Sequence, residues 1–260
     1  MTNKFKKTAI NAAKKTGLLL KKNIGKAHHI EFKGAIDIVT EMDKRAEELI
    51  IKIIKHEFPE HGILTEESPE QKTDSEYRWI IDPLDGTTNY SHGFPVFCVS
   101  IALEKRGEII LGVVYNPMLN ELFTARIGQG AYLNNKKIKI SNIGELSRSL
   151  LATGFPYDVR TSPQNNITHF ANFAVRAQAI RRAGSAALDM CYVACGRFDG
   201  FWELKLKPWD TAAATLIIKE AGGTATDFGG KPFSLYTGET LASNGLIHNE
   251  MIKVLQGKEK

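Results

Sequence analysis

The chain has 260 residues, 43% of them apolar and 24% charged, which allows a substantial buried core and excludes a mainly disordered polymer. Its net charge of +5 is too mild to signal nucleic-acid binding. The 3 cysteines, Cys98, Cys191 and Cys195, include no Cys-x-x-Cys pair and cannot all pair with one another, which argues against a zinc ribbon or a disulfide framework.

In chain order, Phe5, Ala9, Ala12, Ala13, Leu19 and Leu20 recur among lysines and predict an amphipathic helix over residues 3–22. Its basic face is either solvated or turned to a partner. Leu49, Ile50, Ile53 and Ile54 predict a second helix over 40–58. Strands are expected at 79–81, 96–103, 109–115 and 121–124, with Lys105-Arg106-Gly107-Glu108 turning an antiparallel hairpin. Past residue 150 the pattern alternates: helix 164–175, strand 179–181, helix 184–194, strand 199–203, helix 211–220, strand 224–226 and a last helix ending by Gln256. This change predicts two halves, 1–145 and 146–260. No run approaches the roughly 18 apolar residues of a membrane span, and no cleavage signal follows the N-terminal lysines, so a cytoplasmic protein without membrane contact is expected. Cys191 and Cys195 fall in an apolar helical stretch and are expected to be reduced core residues.

The chemistry concentrates at Asp82-Pro83-Leu84-Asp85-Gly86-Thr87, where an apolar strand meets two carboxylates three positions apart. Pro83 biases Asp82 toward an extended backbone and is expected to stop the strand there. Gly86 permits a sharp turn, and Thr87 and Thr88 suit a helix start whose free N–H groups would hold an anion. A stiff turn carrying hard oxygen ligands suits magnesium. By itself, however, Pro-x-Asp-Gly is also an ordinary turn. Glu66 and Glu67 follow a short apolar run. Asp43 and Asp210 each sit at a helix start, where capping of the backbone explains them equally well.

Four ordered segments settle the matter by resemblance. They are 79–95, the run 209–214 continued by Glu220-Ala221-Gly222-Gly223, the run 37–43, and Glu66-Glu67-Ser68. Together they resemble the inositol monophosphatase family of metal-dependent phosphatases, and the likeness covers nearly the whole chain. Leu151 to Tyr157 and Arg181 to Ala187 look most like its bacterial branch with the extragenic-suppressor proteins. The resemblance implies an α+β fold, a layered αβαβα sandwich, in a homodimer with two or three Mg2+ ions.

Carried over, Glu66, Asp82 and the Leu84 carbonyl would hold one ion, and Asp82, Asp85 and Asp210 a second. Glu66 would reach a third, and Glu67 close by would be a further catalytic residue. Thr87 and Asp43 match the pair that activates water. Gly86, Thr87 and Thr88 would hold phosphate, while Glu203 binds substrate hydroxyls beside Ser185 and Ala186. Thr65 departs from the glycine common in the family and would restrict the turn before Glu66. The implied reaction is lithium-sensitive hydrolysis of a small alcohol phosphate, first inositol 1-phosphate. Fructose 1,6-bisphosphate, histidinol phosphate, 3′-phosphoadenosine nucleotides and NADP are the substrates of related proteins. A separate expectation is a contact with RNA polymerase through Arg181, Arg182 and the basic first helix.

Overall fold

The computed structural model describes residues 2–26, 30–32, 34 and 36–258. The first half runs α1 (Thr2–Asn23), β1 (Ile30–Phe32), β2 (Ile38–Thr40), α2 (Glu41–Glu57), β3 (Gly62–Thr65), β4 (Tyr77–Asp85), α3 (Thr87–Ser91), β5 (Cys98–Lys105), β6 (Glu108–Asn116), β7 (Glu121–Arg126), β8 (Ala131–Leu133) and β9 (Lys136–Lys137). The second runs β10 (Leu150–Thr153), α4 (Ile167–Ala174), β11 (Ala179–Arg181), α5 (Ala186–Ala194), β12 (Gly200–Leu204), α6 (Pro208–Glu220), β13 (Thr224–Thr226), β14 (Glu239–Ser243) and α7 (His248–Leu255).

Strands β3 to β9 form a 7-stranded sheet in chain order, and a 5-stranded sheet is ordered β11-β10-β12-β14-β13. Helices α1 and α2 cover the outer face of the larger sheet, burying Phe5, Ala9, Leu20, Met42, Ile50 and Ile54 against Trp79, Ile81, Val99 and Val113. Helices α5 and α6 fill the space between the two sheets, and α4 packs with α7 beyond the smaller sheet. The architecture is the expected αβαβα sandwich. Among the described residues, no helix is long and apolar enough to cross a membrane.

The periodic segments fell where their patterns placed them, while β1, β2, β3, β8, β9, β10 and β14 were not expected. Pro83 requires a correction. The strand does not stop at Asp82, because β4 pairs onward to Asp85, opposite Cys98. Between Asp82↔Ser100 and Asp85↔Cys98 one extra residue is inserted into β4, and Pro83 lies in that bulge, where no ladder N–H is demanded of it. Asp210 also differs from expectation. Lys207 is the N-cap of α6, Pro208 takes the first helical position, and Asp210 stands at the third. All three cysteines are free thiols, with Cys98 and Cys191 buried.

The helices of the middle layer are rich in alanine, which allows close approach to the sheet. Helix α6 lies directly on β6, so that a Cβ on Gly112 would sit 2.5 Å from the Ala213 carbonyl oxygen. Since α6 carries Asp210, this contact sets how closely that carboxylate approaches the larger sheet. Gly112→Ala should destabilise the fold by about 1–3 kcal/mol through overpacking. Urea unfolding measures this, and wild-type stability would contradict the direct seating.

Candidate active site

A cavity of about 690 Å³ opens where the end of β4, the start of α3, the ends of β10 and β12 and the first turns of α5 and α6 meet. Its walls include Glu66, Asp82, Leu84, Asp85, Gly86, Thr87, Thr88, Ser185, Ala186, Glu203 and Asp210. Sheet register explains part of this gathering. Parallel pairing of Thr65 with Ile81 sets Glu66 beside Asp82, and the bulge after Asp82 turns Asp85 into the same space.

Each aspartate is held by one oxygen. Asp82 Oδ1 accepts from the Leu84 N–H at 3.0 Å. Asp85 Oδ2 accepts from the Ser185 hydroxyl at 2.7 Å and from the Ala187 N–H at 2.8 Å, and so caps α5. Asp210 Oδ2 accepts from the Lys207 N–H at 2.6 Å. Fixing one oxygen orients the other without using it up.

Asp43 lies behind this wall. Its Oδ2 closes the capping box with the Thr40 N–H at 2.8 Å, while Oδ1 accepts from the Thr87 hydroxyl at 2.7 Å. That hydroxyl also lies 3.0 Å from the Leu84 carbonyl oxygen. Gly86, the residue before α3, has φ +103°, a conformation glycine adopts freely. Glu67 is not part of the wall. Its N–H donates to Glu47, and its predicted catalytic part finds no surface on the cavity.

The electrostatics are those of an uncompensated acidic cluster. Burial, then the charges of Glu66, Asp85 and Asp210, push the Asp82 carboxyl well above its usual range. Burial raises Asp210 too, against the Lys207 hydrogen bond. Asp85 is raised by burial and partly relieved by Ser185 and Ala187. Asp43 is raised by burial despite bonds from Thr40 and Thr87. Across the cavity, Glu203 is pushed by burial up to about 8.

The model of the inositol monophosphatase family matches residues 1–260. The chain belongs to the inositol monophosphatase family. It is 47% identical over 233 residues to an inositol-1-monophosphatase of Synechocystis sp., covering 89% of this chain and 81% of that one. It is 46% identical over 239 residues to Nus factor SuhB of Vibrio cholerae, covering 91% and 90%. The structure of an inositol monophosphatase from Anabaena superposes with a TM-score of 0.90 at 43% identity, covering 98% and 96%. The chain is a phosphoric monoester hydrolase of a metal-dependent family.

The donor set fits the hard divalent cation that inositol monophosphatases use. Buried carboxylates that raise one another's pKa are relieved by a cation, and carboxylate and carbonyl oxygens suit a small hard ion. Among the described residues, no three acidic, thiol or imidazole groups already converge at ligand spacing.

Three residues of the site were missed in the sequence. Glu47, buried on α2, accepts from the Thr65 hydroxyl at 2.6 Å and the Glu67 N–H at 3.0 Å, and it also takes the Ser68 hydroxyl. It clamps the segment that presents Glu66. Thr65 thus ends β3 as an anchor, where a β-branched residue is at ease, and does not occupy a turn. The available signal was spacing, since Glu47 follows Asp43 by one helical turn on the apolar face of α2. Tyr157, 54% exposed, also lines the cavity. Asp189, in the apolar helix α5, also reaches the wall.

A carboxyl whose folded pKa exceeds its unfolded one binds protons on folding. Its stabilising effect is complete below the unfolded value and is lost as pH rises through the folded value. For Glu203 that window extends up to about 8. With a chelator present, the melting temperature should therefore fall between about pH 5 and pH 8, and Glu203→Gln should make that fall shallower. Parallel melting profiles for the two proteins would refute a neutral buried Glu203.

Proposed function

We propose that the chain hydrolyses small alcohol phosphate monoesters with magnesium as its cation, inositol 1-phosphate first among them. The observation that carries this is one cavity holding Glu66, Asp82, Asp85 and Asp210 beside the start of α3, with Glu203 facing them. The Synechocystis relative named an inositol-1-monophosphatase supports the choice of alcohol.

Glu66, Asp82, the Leu84 carbonyl, Asp85 and Asp210 would hold two or three ions. Bound magnesium supplies charge neutralisation of the phosphoryl oxygens and acidification of water. The N–H groups at Gly86, Thr87 and Thr88 have no acceptor within the helix they begin, and they hold the phosphate. Thr87, whose proton is directed to Asp43 Oδ1, accepts a hydrogen bond from the attacking water. A water proton taken by Thr87 Oγ1 is matched by transfer of the Thr87 proton to Asp43, whose raised pKa suits it as acceptor. The water oxygen attacks phosphorus in line, the ester P–O bond breaks, and the alkoxide takes a proton from solvent. No phospho-enzyme forms. Glu203, Ser185 and Ala186 hold the departing alcohol.

The test is a phosphatase panel with magnesium on inositol 1-phosphate, fructose 1,6-bisphosphate, histidinol phosphate, adenosine 3′,5′-bisphosphate and NADP. Inositol 1-phosphate should show the highest kcat/KM, and lithium should inhibit. Asp85→Asn should lower kcat by at least about 100-fold with the fold retained. Near-normal turnover in that variant would sink the ligand assignment. A best substrate other than inositol 1-phosphate would shift the alcohol assignment alone, since pocket loops decide it.

A second role at the transcription machinery is proposed from the relative named a Nus factor and from the exposed lysines of α1. A homodimer and a cytoplasmic location belong to the same proposal. The whole chain should retain RNA polymerase in a pull-down, and Lys14→Glu with Lys15→Glu should weaken it. Equal retention by both would remove α1 from that role.

A further inference from the structure

Helix α5 lies between the two sheets, and nearly every residue in it is buried and apolar. Asp189 is the exception in kind. It is 1% exposed, and its Oδ1 has no hydrogen-bond partner among the described residues. A buried carboxyl without a partner costs more than an apolar side chain of the same size. The polar side chains one turn away on its own helix are engaged elsewhere, Ser185 with Asp85 and Tyr192 with Asn116. The charged groups that act on it are Glu203 from β12, Asp85 from β4 and, in opposition, Arg182. Its Oδ1 needs a partner that the described residues do not provide, and the side chain lines the cavity.

Glu203 stands on the same wall, set there by a tight contact. Thr153 of β10 pairs with Trp202 of β12, which puts Gly154 alongside Glu203. A Cβ on Gly154 would overlap the Glu203 carboxyl, so that carboxyl rests against bare backbone. The backbone is itself fixed, because the Gly154 carbonyl accepts from Asn166 Nδ2 at 2.6 Å. Glu203 from a strand and Asp189 from a helix thus line one cavity, close enough for the charge of Glu203 to act on Asp189.

We propose that Asp189 is a specificity-determining residue that binds a hydroxyl of the leaving alcohol, one beyond the hydroxyl at Glu203. This rests on the proposed phosphatase activity toward polyol phosphates. A hydroxyl can donate to either carboxyl oxygen and accept from a protonated one, so a ring polyol with neighbouring hydroxyls satisfies both acids at once. A phosphate ester without hydroxyls offers Asp189 no partner. A pocket built to hydrogen-bond a hydroxyl discriminates strongly against ligands lacking it.

Asp189→Ala and Asp189→Leu both remove the carboxyl, the second at nearly constant shape, and either suffices if it melts as wild type does. The readout is kcat/KM for inositol 1-phosphate against p-nitrophenyl phosphate, which has no hydroxyl on its ring. Both variants should raise KM for inositol 1-phosphate about tenfold, the scale of one lost hydrogen bond, and leave p-nitrophenyl phosphate within about twofold. Asp189→Asn, which keeps an acceptor, should recover part of the loss. Equal loss on both substrates, or a shifted magnesium requirement, would overturn the inference and make Asp189 a support of the metal cluster. A wild type that prefers inositol 1-phosphate while the Ala and Leu variants keep that preference sinks this inference alone. A wild type with no preference for polyol phosphates sinks the functional reading beneath it.

Discussion

Four carboxylates line one cavity, with Asp82 fully buried behind it, and the cost of that arrangement governs the rest of the molecule. Asp82, Asp85 and Asp210 are each raised by burial, and Asp82 and Asp210 are raised further by acidic neighbours. Left to themselves such groups would protonate or move apart. The chain prevents the second outcome by anchoring one oxygen of each aspartate to a backbone N–H. The mutual repulsion then becomes the driving force for taking up cations.

The fold supplies anchors from both sheets. Asp82 and Asp85 stand on either side of a bulge in β4, and Asp85 reaches across to the first turn of α5. Asp210 arrives on α6, seated against β6 at Gly112. Glu66 is carried by a segment that Glu47 clamps from α2. Each layer of the sandwich except the outermost pair of helices α4 and α7 thus holds part of the site. Stability and ligand geometry are not separable here, since a shift between the layers would move one carboxylate relative to the others.

The opposite wall is built for a different task. Glu203 rests on Gly154, and Asp189 comes from a helix otherwise apolar. Among the described residues, neither carboxyl accepts from a backbone N–H as those of Asp82, Asp85 and Asp210 do. Burial leaves Glu203 neutral up to about pH 8, which suits a group that exchanges hydrogen bonds with an uncharged alcohol. One cavity therefore presents anionic oxygens to cations and phosphate on one side and hydrogen-bonding acids on the other.

Much of this was legible in the residues. The lysine-framed apolar stripe fixed α1, and the strand run from Trp79 into Asp82 with Gly86 beyond it marked the turn at the heart of the site. Asp43 and Asp210 were visible as residues of helix starts, and the ordered motifs tied them to one family. What the sequence could not supply was anything dependent on register across distant segments. The pairing onward past Pro83 depends on β5 lying opposite with one residue fewer, and Glu47 becomes a clamp only once β3 lies beside α2. Asp189 reads as a stray acid in an apolar helix until β12 brings Glu203 onto the same wall. Local patterns determine which residues are buried and which turn. Only packing decides which buried acids face one another, because that is set by the spacing between layers.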